Sequence, residues 1–154
     1  MQKITPFLWY DGRAEEAAKF YTSIFKRSKI TSVTRPGGGR KGPALTVSFA
    51  LEGQEFIALN GGPGFPFTEA ISLYVHCKTQ KDVDTLYAKL VRGGKPSRCG
   101  WLQDKLGVSW QIVPSILGEY LADEDPEKAQ RVMQAMLKMG KLDIEGLKRA
   151  YRGK

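Results

Sequence analysis

The chain has 154 residues, of which 42% are hydrophobic and 26% charged. That is the balance of a folded globule of one domain or two small halves, and it excludes a largely disordered chain. The formal net charge of +8 admits nucleic acid or an anionic surface as a partner. Much of the excess, however, follows Asp125, in Lys128, Arg131, Lys138, Lys141, Lys148, Arg149, Arg152 and Lys154. These fall on the polar sides of expected helices and read as a solvated face.

In chain order, Ile4 to Tyr10 is a β-rich run closed by the turn pair Asp11-Gly12. The period then changes. Ala14, Ala17, Ala18, Tyr21, Ile24 and Phe25 recur at helical spacing, which predicts a helix over 13–25. Residues 30–35 form a short strand, and the loop from Arg35 to Pro43 is too glycine-rich to pack. Leu45–Leu51 and Gln54–Leu59 flank Glu52-Gly53 as a hairpin.

The order then repeats. Ala70–Cys77 alternates as a strand, with Ile71, Leu73 and Val75 against Ser72, Tyr74 and His76. A helix over 79–91 carries Val83, Leu86, Tyr87, Leu90 and Val91, and Gly93-Gly94 stop it. Strands around Cys99–Leu102 and Val108–Val113 follow, joined through Asp104-Lys105-Leu106-Gly107. An offset of 66 lays Phe20-Tyr21-x-x-Ile24-Phe25 on Leu86-Tyr87-x-x-Leu90-Val91, Phe7 on Leu73 and Trp9 on Val75. An offset of 54 lays Gly53–Ile57 on Gly107–Gln111. The pattern is a duplicated βαβββ unit.

Asp125-Pro126 starts a further helix with the stripe Val132, Met133, Met136 and Leu137, ended by Gly140. Asp143 is placed to cap a last helix bearing Ile144, Leu147 and Tyr151. The fold class is therefore α+β. Two tandem βαβββ modules, at about 1–64 and 65–122, form one domain over 1–122. A helical extension covers 123–154. The first six residues lack the apolar core of a secretion signal, and Cys77 and Cys99 are too few for a disulfide scaffold. The expected address is the cytoplasm, with both thiols reduced.

Two tandem units of this kind resemble the vicinal oxygen chelate superfamily of glyoxalases, bleomycin-resistance proteins and dioxygenases. Finer strings resemble its PhnB-like branch, often labelled 3-demethylubiquinone-9 3-methyltransferase. They are Ile4–Gly12, Ala17-x-x-Phe20-Tyr21-x-x-Ile24-Phe25, Leu59–Pro63, Arg98-Cys99-Gly100-Trp101-Leu102-x-Asp104, Gly107–Pro114 and Asp125-Pro126-x-Lys128-Ala129-x-Arg131-Val132. The resemblance implies a glyoxalase-like domain over 1–122 whose paired modules form a curved, cup-shaped mixed sheet, and a homodimer. It also implies, in metal-using relatives, a His or Gln on each first strand and a Glu on each last strand. Those positions fall here at Ile4, Ala70, Ile57 and Gln111, or at Thr5 and Ile71 after a slip of one. One amide among four positions cannot hold a catalytic cation, so neither metal nor cofactor is expected.

Most methyltransferases using S-adenosylmethionine need a doubly wound sheet with a glycine-rich turn between a strand and a helix. Gly37–Gly39 lies between expected strands, and Gly61-Gly62 precedes another. The leading expectation is thus a small organic ligand bound in the cup without a catalytic metal, through Trp9, Asn60, Ser72, Tyr74, His76, Trp101 and Gln111. A metal-dependent lyase or dioxygenase and the labelled methyltransferase stay open as alternatives. Nucleic acid and membrane are not expected partners. His76 is the one titratable imidazole, and Cys99 is weighed as a nucleophile against a buried, inert thiol. Glu15 and Glu16 sit where they favour the positive end of a helix.

Overall fold

The helix stripes over 13–25 and 79–91 each need a sheet face to cover them, and the chain supplies one sheet for each. The computed structural model describes residues 2–154. Met1, part of the N-terminal segment weighed above, lies outside them. The chain divides into two units, one ending at Pro66 and one running from Phe67 to Lys154.

The first unit comprises β1 (Phe7–Tyr10), α1 (Ala14–Ile24), β2 (Lys29–Thr34), a 3-10 turn at Pro36–Gly38, β3 (Thr46–Leu51) and β4 (Gln54–Asn60). The strand order is β1-β4-β3-β2, with β1 parallel to β4 and the other pairs antiparallel. Ala14, Ala17, Ala18 and Tyr21 of α1 are fully buried, as are Val47 and Ala58 on the sheet. Small residues let the helix approach closely, and large buried groups such as Phe49 contribute about 1.5–3 kcal/mol each. The Tyr10 and Tyr21 hydroxyls meet at 3.1 Å inside this core. β1 begins at Phe7, not Ile4, because Pro6 has no N–H to give the ladder. Its carbonyl still accepts from Ile57 N at 3.0 Å, and Ile4 is 84% exposed.

The second unit comprises β5 (Leu73–Cys77), α2 (Gln80–Val91), β6 (Lys95–Pro96), β7 (Trp101–Gln103), β8 (Ser109–Pro114), α3 (Ser115–Leu121), α4 (Pro126–Leu137) and α5 (Ile144–Arg152). Its order is β5-β8-β7-β6, again with the first and last strands parallel. The two sheets and five helices give the α+β architecture expected, as two four-stranded mixed sheets. β5 starts three residues later than the alternation suggested, since Ala70 is drawn into a turn by its N–H to Thr68 Oγ1 and Ile71 stays exposed. Two elements were not anticipated. β6 is two residues long and α3 seven, too short for either period to register.

The repeat also shifts. Ile57 corresponds to Gln111, yet Ile57 pairs with Phe7 and Gln111 with Tyr74. The matching strands are therefore offset by 67, while the buried helix positions Ala17 and Tyr21 match Val83 and Tyr87 at 66. Phe7 thus matches Tyr74, and Trp9 matches His76 rather than Val75. One residue reverses the face of every side chain.

The helices after β8 fold as part of the second unit. Val113, Leu117, Val132, Leu142 and Leu147 form one buried cluster, with Met136, Met139 and Tyr151 against it. Leu137 is left half-exposed. Asp125 caps α4 through Glu127 N, but α4 stops before Gly140. Asp143 makes no cap bond to α5. Gln80 Oε1 accepts from Ile144 N instead, at 2.7 Å, while its amide donates to Leu142 O. Of the basic side chains, Arg131 donates to the carbonyls of Ala150 and Tyr151, and Lys141 pairs with Asp84. Among the described residues no helix is long and apolar enough to cross a membrane.

Gly100 (φ +85°) joins this helical cluster to the sheet, donating to Gly140 O. A Cβ there would lie 2.9 Å from both Ile112 O and a Leu142 methyl. Gly100→Ala is expected to cost about 2 kcal/mol in denaturant unfolding. Gly118→Ala, helical with nothing within 4 Å of its Cβ, should instead stabilise by about 0.5–1 kcal/mol. Equal stabilities for the two variants would refute the close packing at Gly100.

Candidate ligand-binding face

Each sheet has one face against its helix and one turned away, here the far face. In the second unit Trp110 and Ile112 face α2 and are buried, so Gln111 points the other way. Tyr74 and Trp101 both pair with Gln111. The three side chains therefore stand in one row across β5, β8 and β7, on the far face. Ser72 precedes the row, and its Oγ accepts from Gln111 Nε2 at 3.0 Å. His76 follows two residues on, its ring 4.8 Å from that of Tyr74. Five of the seven expected residues are thus brought together. Tyr74 remains 47% exposed, and partial burial of its ring raises the phenol pKa.

The row depends on a residue whose role was not read from the sequence. Asp104 is buried. Its Oδ1 accepts from Leu106 N at 2.8 Å and Val108 N at 3.1 Å, and its Oδ2 from Trp110 Nε1 at 2.8 Å. These bonds fix the β7–β8 turn, and with it the register that sets Gln111 opposite Trp101. An aspartate three residues before a turn glycine was the available signal.

Trp9 and Asn60 belong to the first unit. Trp9 lies on that unit's far face, in register with Leu59. Its indole N–H donates to Gly62 O at 2.9 Å, and its ring meets Phe65 edge-on at 4.9 Å. A Cβ at Gly61 would overlap that ring, which explains the glycine. Asn60 is turned to the main chain: Oδ1 accepts from Ala14 N at the start of α1, and Nδ2 donates to Ala44 O. It joins β4, α1 and the end of the glycine-rich loop. Glu15, at the same helix end, takes a 2.6 Å ion pair from Arg35, which holds its carboxyl below the usual range.

With the strand offset of 67, the family-type first-strand positions Ile4 or Thr5 match Ile71 or Ser72, while the last-strand positions stay at Ile57 and Gln111. In neither unit do these positions carry the carboxylate or imidazole donors that a divalent cation needs. Among the described residues, no three His, Cys, Asp or Glu side chains converge as a metal set.

The family profile of 3-demethylubiquinone-9 3-methyltransferase matches residues 2–113. The chain is similar to a PhnB protein from Bacillus cereus described under the same methyltransferase name. The two are 41% identical with a TM-score of 0.67, over 74% of this chain and 100% of that one. It also resembles a protein from Pseudomonas aeruginosa at 16% identity and TM-score 0.62, over 74% and 98% of the two chains. A glyoxylase/bleomycin resistance protein/dioxygenase domain from a Frankia species is similar at 14% identity and TM-score 0.51, over 74% and 92%. These last two share the fold. No curated protein matches the sequence.

The two thiols differ. Cys77 is buried and Cys99 partly exposed, and burial, with a smaller effect of Asp82, pushes the Cys77 thiol up to about 11. At pH 8 a thiol reagent should modify one cysteine in the native protein, located at Cys99 by peptide mass, and two in denaturant. The Cys77 shift also has a stability consequence. The unfolded thiol ionises near pH 9 while the folded one stays neutral to about 11, so its contribution is complete below pH 9 and is lost as pH rises toward 11. Cys77→Ala should flatten that part of the stability curve. Rapid native labelling of Cys77 would overturn the assignment.

Proposed function

This chain belongs to the PhnB-like, 3-demethylubiquinone-9 3-methyltransferase family, and from that premise we propose that it binds a small organic ligand without a catalytic metal. The observation that carries the reading is the row Tyr74–Gln111–Trp101 on the far face of the second sheet. Two aromatic side chains flank one amide, with Ser72 and His76 alongside. That is the composition of a ligand site: apolar walls with a few polar anchors. None of the five is a strong nucleophile, and among the described residues no carboxylate or hydroxyl is bonded to the His76 ring nitrogens to orient it as a base. Binding is therefore better supported than bond-breaking. In the first unit, Trp9 on the equivalent face is assigned the same role.

The labelled methyltransferase chemistry draws no support from the glycine clusters. Gly37–Gly39 links β2 to β3 and Gly61-Gly62 links β4 to β5, so neither offers a helix N-terminus to a cofactor. The metal-dependent lyase or dioxygenase is disfavoured because neither Thr5 and Ile57 in the first unit nor Ser72 and Gln111 in the second supply a carboxylate or imidazole. A second copy of the chain in a closed two-fold dimer and a cytoplasmic address belong to the same proposal. The exposed apolar groups Phe7, Phe65 and Ile71 support the first.

A thermal-shift screen of small aromatic compounds, run beside zinc, manganese and nickel salts, tests the reading. A compound at ten times its Kd should add about 1.4 kcal/mol, or about 3–6 °C in Tm. Trp101→Ala should abolish that shift while retaining a cooperative transition. A stoichiometric divalent ion in the purified protein, lost in Gln111→Leu, would refute a metal-free site.

A further inference from the structure

We infer that the far face of the second unit selects an uncharged hydroxy-aromatic ring, inserted between Tyr74 and Trp101 with its hydroxyl donating to Gln111 Oε1. This rests on the ligand-binding reading above and adds the chemical class. The spacing comes first. Tyr74 and Trp101 stand one strand to either side of Gln111, and adjacent strands lie about 4.8 Å apart, so the two aromatic residues rise about 10 Å from each other. Aromatic contacts place ring centroids about 4.5–7 Å apart. One planar ring therefore fits between the two, and a second does not. The Tyr74 ring is braced on its own strand by His76, at 4.8 Å, which keeps the slot from collapsing.

The polarity of the floor comes next. Gln111 Nε2 is committed to Ser72 Oγ. No protein donor among the described residues reaches Gln111 Oε1, and it is not a buried atom left unsatisfied. The floor of the slot is thus an accessible carbonyl, an acceptor that a phenolic O–H satisfies and a carboxylate does not. Charge points the same way. Although the chain carries a net +8, β5, β7 and β8 place no lysine or arginine on this face. The cation nearest in register is Lys95 on the edge strand, opposite Gln103, one row away. An anion seated on Gln111 would meet a partial negative charge with no cation in its row, and would lose its hydration without replacement.

Three probes of equal ring size test the class: 1-naphthol, naphthalene and 1-naphthoate. They are titrated into the intact protein and followed by the side-chain NMR signals of Gln111, Trp101 and Tyr74. The expected order is naphthol about 5–10-fold tighter than naphthalene, with naphthoate weakest. Gln111→Leu should bring naphthol down to the naphthalene value, whereas Trp101→Ala should weaken both alike. The wild-type order is itself decisive should a variant fold poorly. Naphthoate binding as tightly as naphthol, which a reversed Gln111 amide would produce, overturns the class and leaves the ligand face standing. Naphthol no tighter than naphthalene does the same. If none of the three moves these signals, both the class and the ligand face are overturned.

Discussion

The parallel pairing of first strand with last, β1 with β4 and β5 with β8, is the constraint from which the rest follows. Two parallel neighbours cannot be joined by a tight turn, so the intervening helix and strands must cross over and return. The crossover lays the helix on one face and leaves the other to its own side chains. Which residues occupy that second face is then fixed by register alone. In the second unit the register is held at both ends of β8. Asp104 gathers three N–H groups at the β7–β8 turn, and Gly100 accommodates the close approach of Leu142 and Ile112 beyond.

The helices that follow residue 113, outside the matched family profile, are integral to this arrangement. Val113 lies two residues beyond Gln111, on the same face, and is buried among Leu117, Val132, Leu142 and Leu147. The added helices therefore bound the far face at one end. Their bonds to the rest of the unit include Cys99 N to Met139 O, Gly100 N to Gly140 O, and the Gln80 side-chain amide to the main chain on both sides of Asp143. Such contacts specify position without needing particular side chains at the carbonyl partners. Of the cations in this region, Arg131 bonds carbonyls of Ala150 and Tyr151, Lys141 pairs with Asp84, and Lys128 lies over the Tyr151 ring.

Much of the fold was legible because the relevant signals are local and periodic. The stripe Ala14–Ala17–Ala18–Tyr21, the Asp125 cap and the Glu52-Gly53 hairpin each declare themselves within a few residues. What escaped was either too short, as with β6 and α3, or decided elsewhere. The offset of 67 between β1 and β5 depends on partners fifty and thirty-seven residues downstream, and helix positions that keep an offset of 66 give no warning of it. Asn60 reads as a polar anchor in sequence, yet both ends of its amide are turned to the main chain of Ala14 and Ala44. A motif shows that such a group is present; it does not show which of two polar surroundings the fold will offer it.

The amino-acid order by itself determined two sheet-and-helix units, their duplication, the helical addition and the family, because periodicity, turn residues and caps act over short stretches of chain. Tertiary structure alone decided which side chains stand together. Tyr74, Gln111 and Trp101 are separated by up to thirty-seven residues, and only strand pairing sets them in a row. The reason is geometric: a strand's alternation states that two faces exist, while hydrogen-bonded register between distant segments determines which neighbours each face acquires.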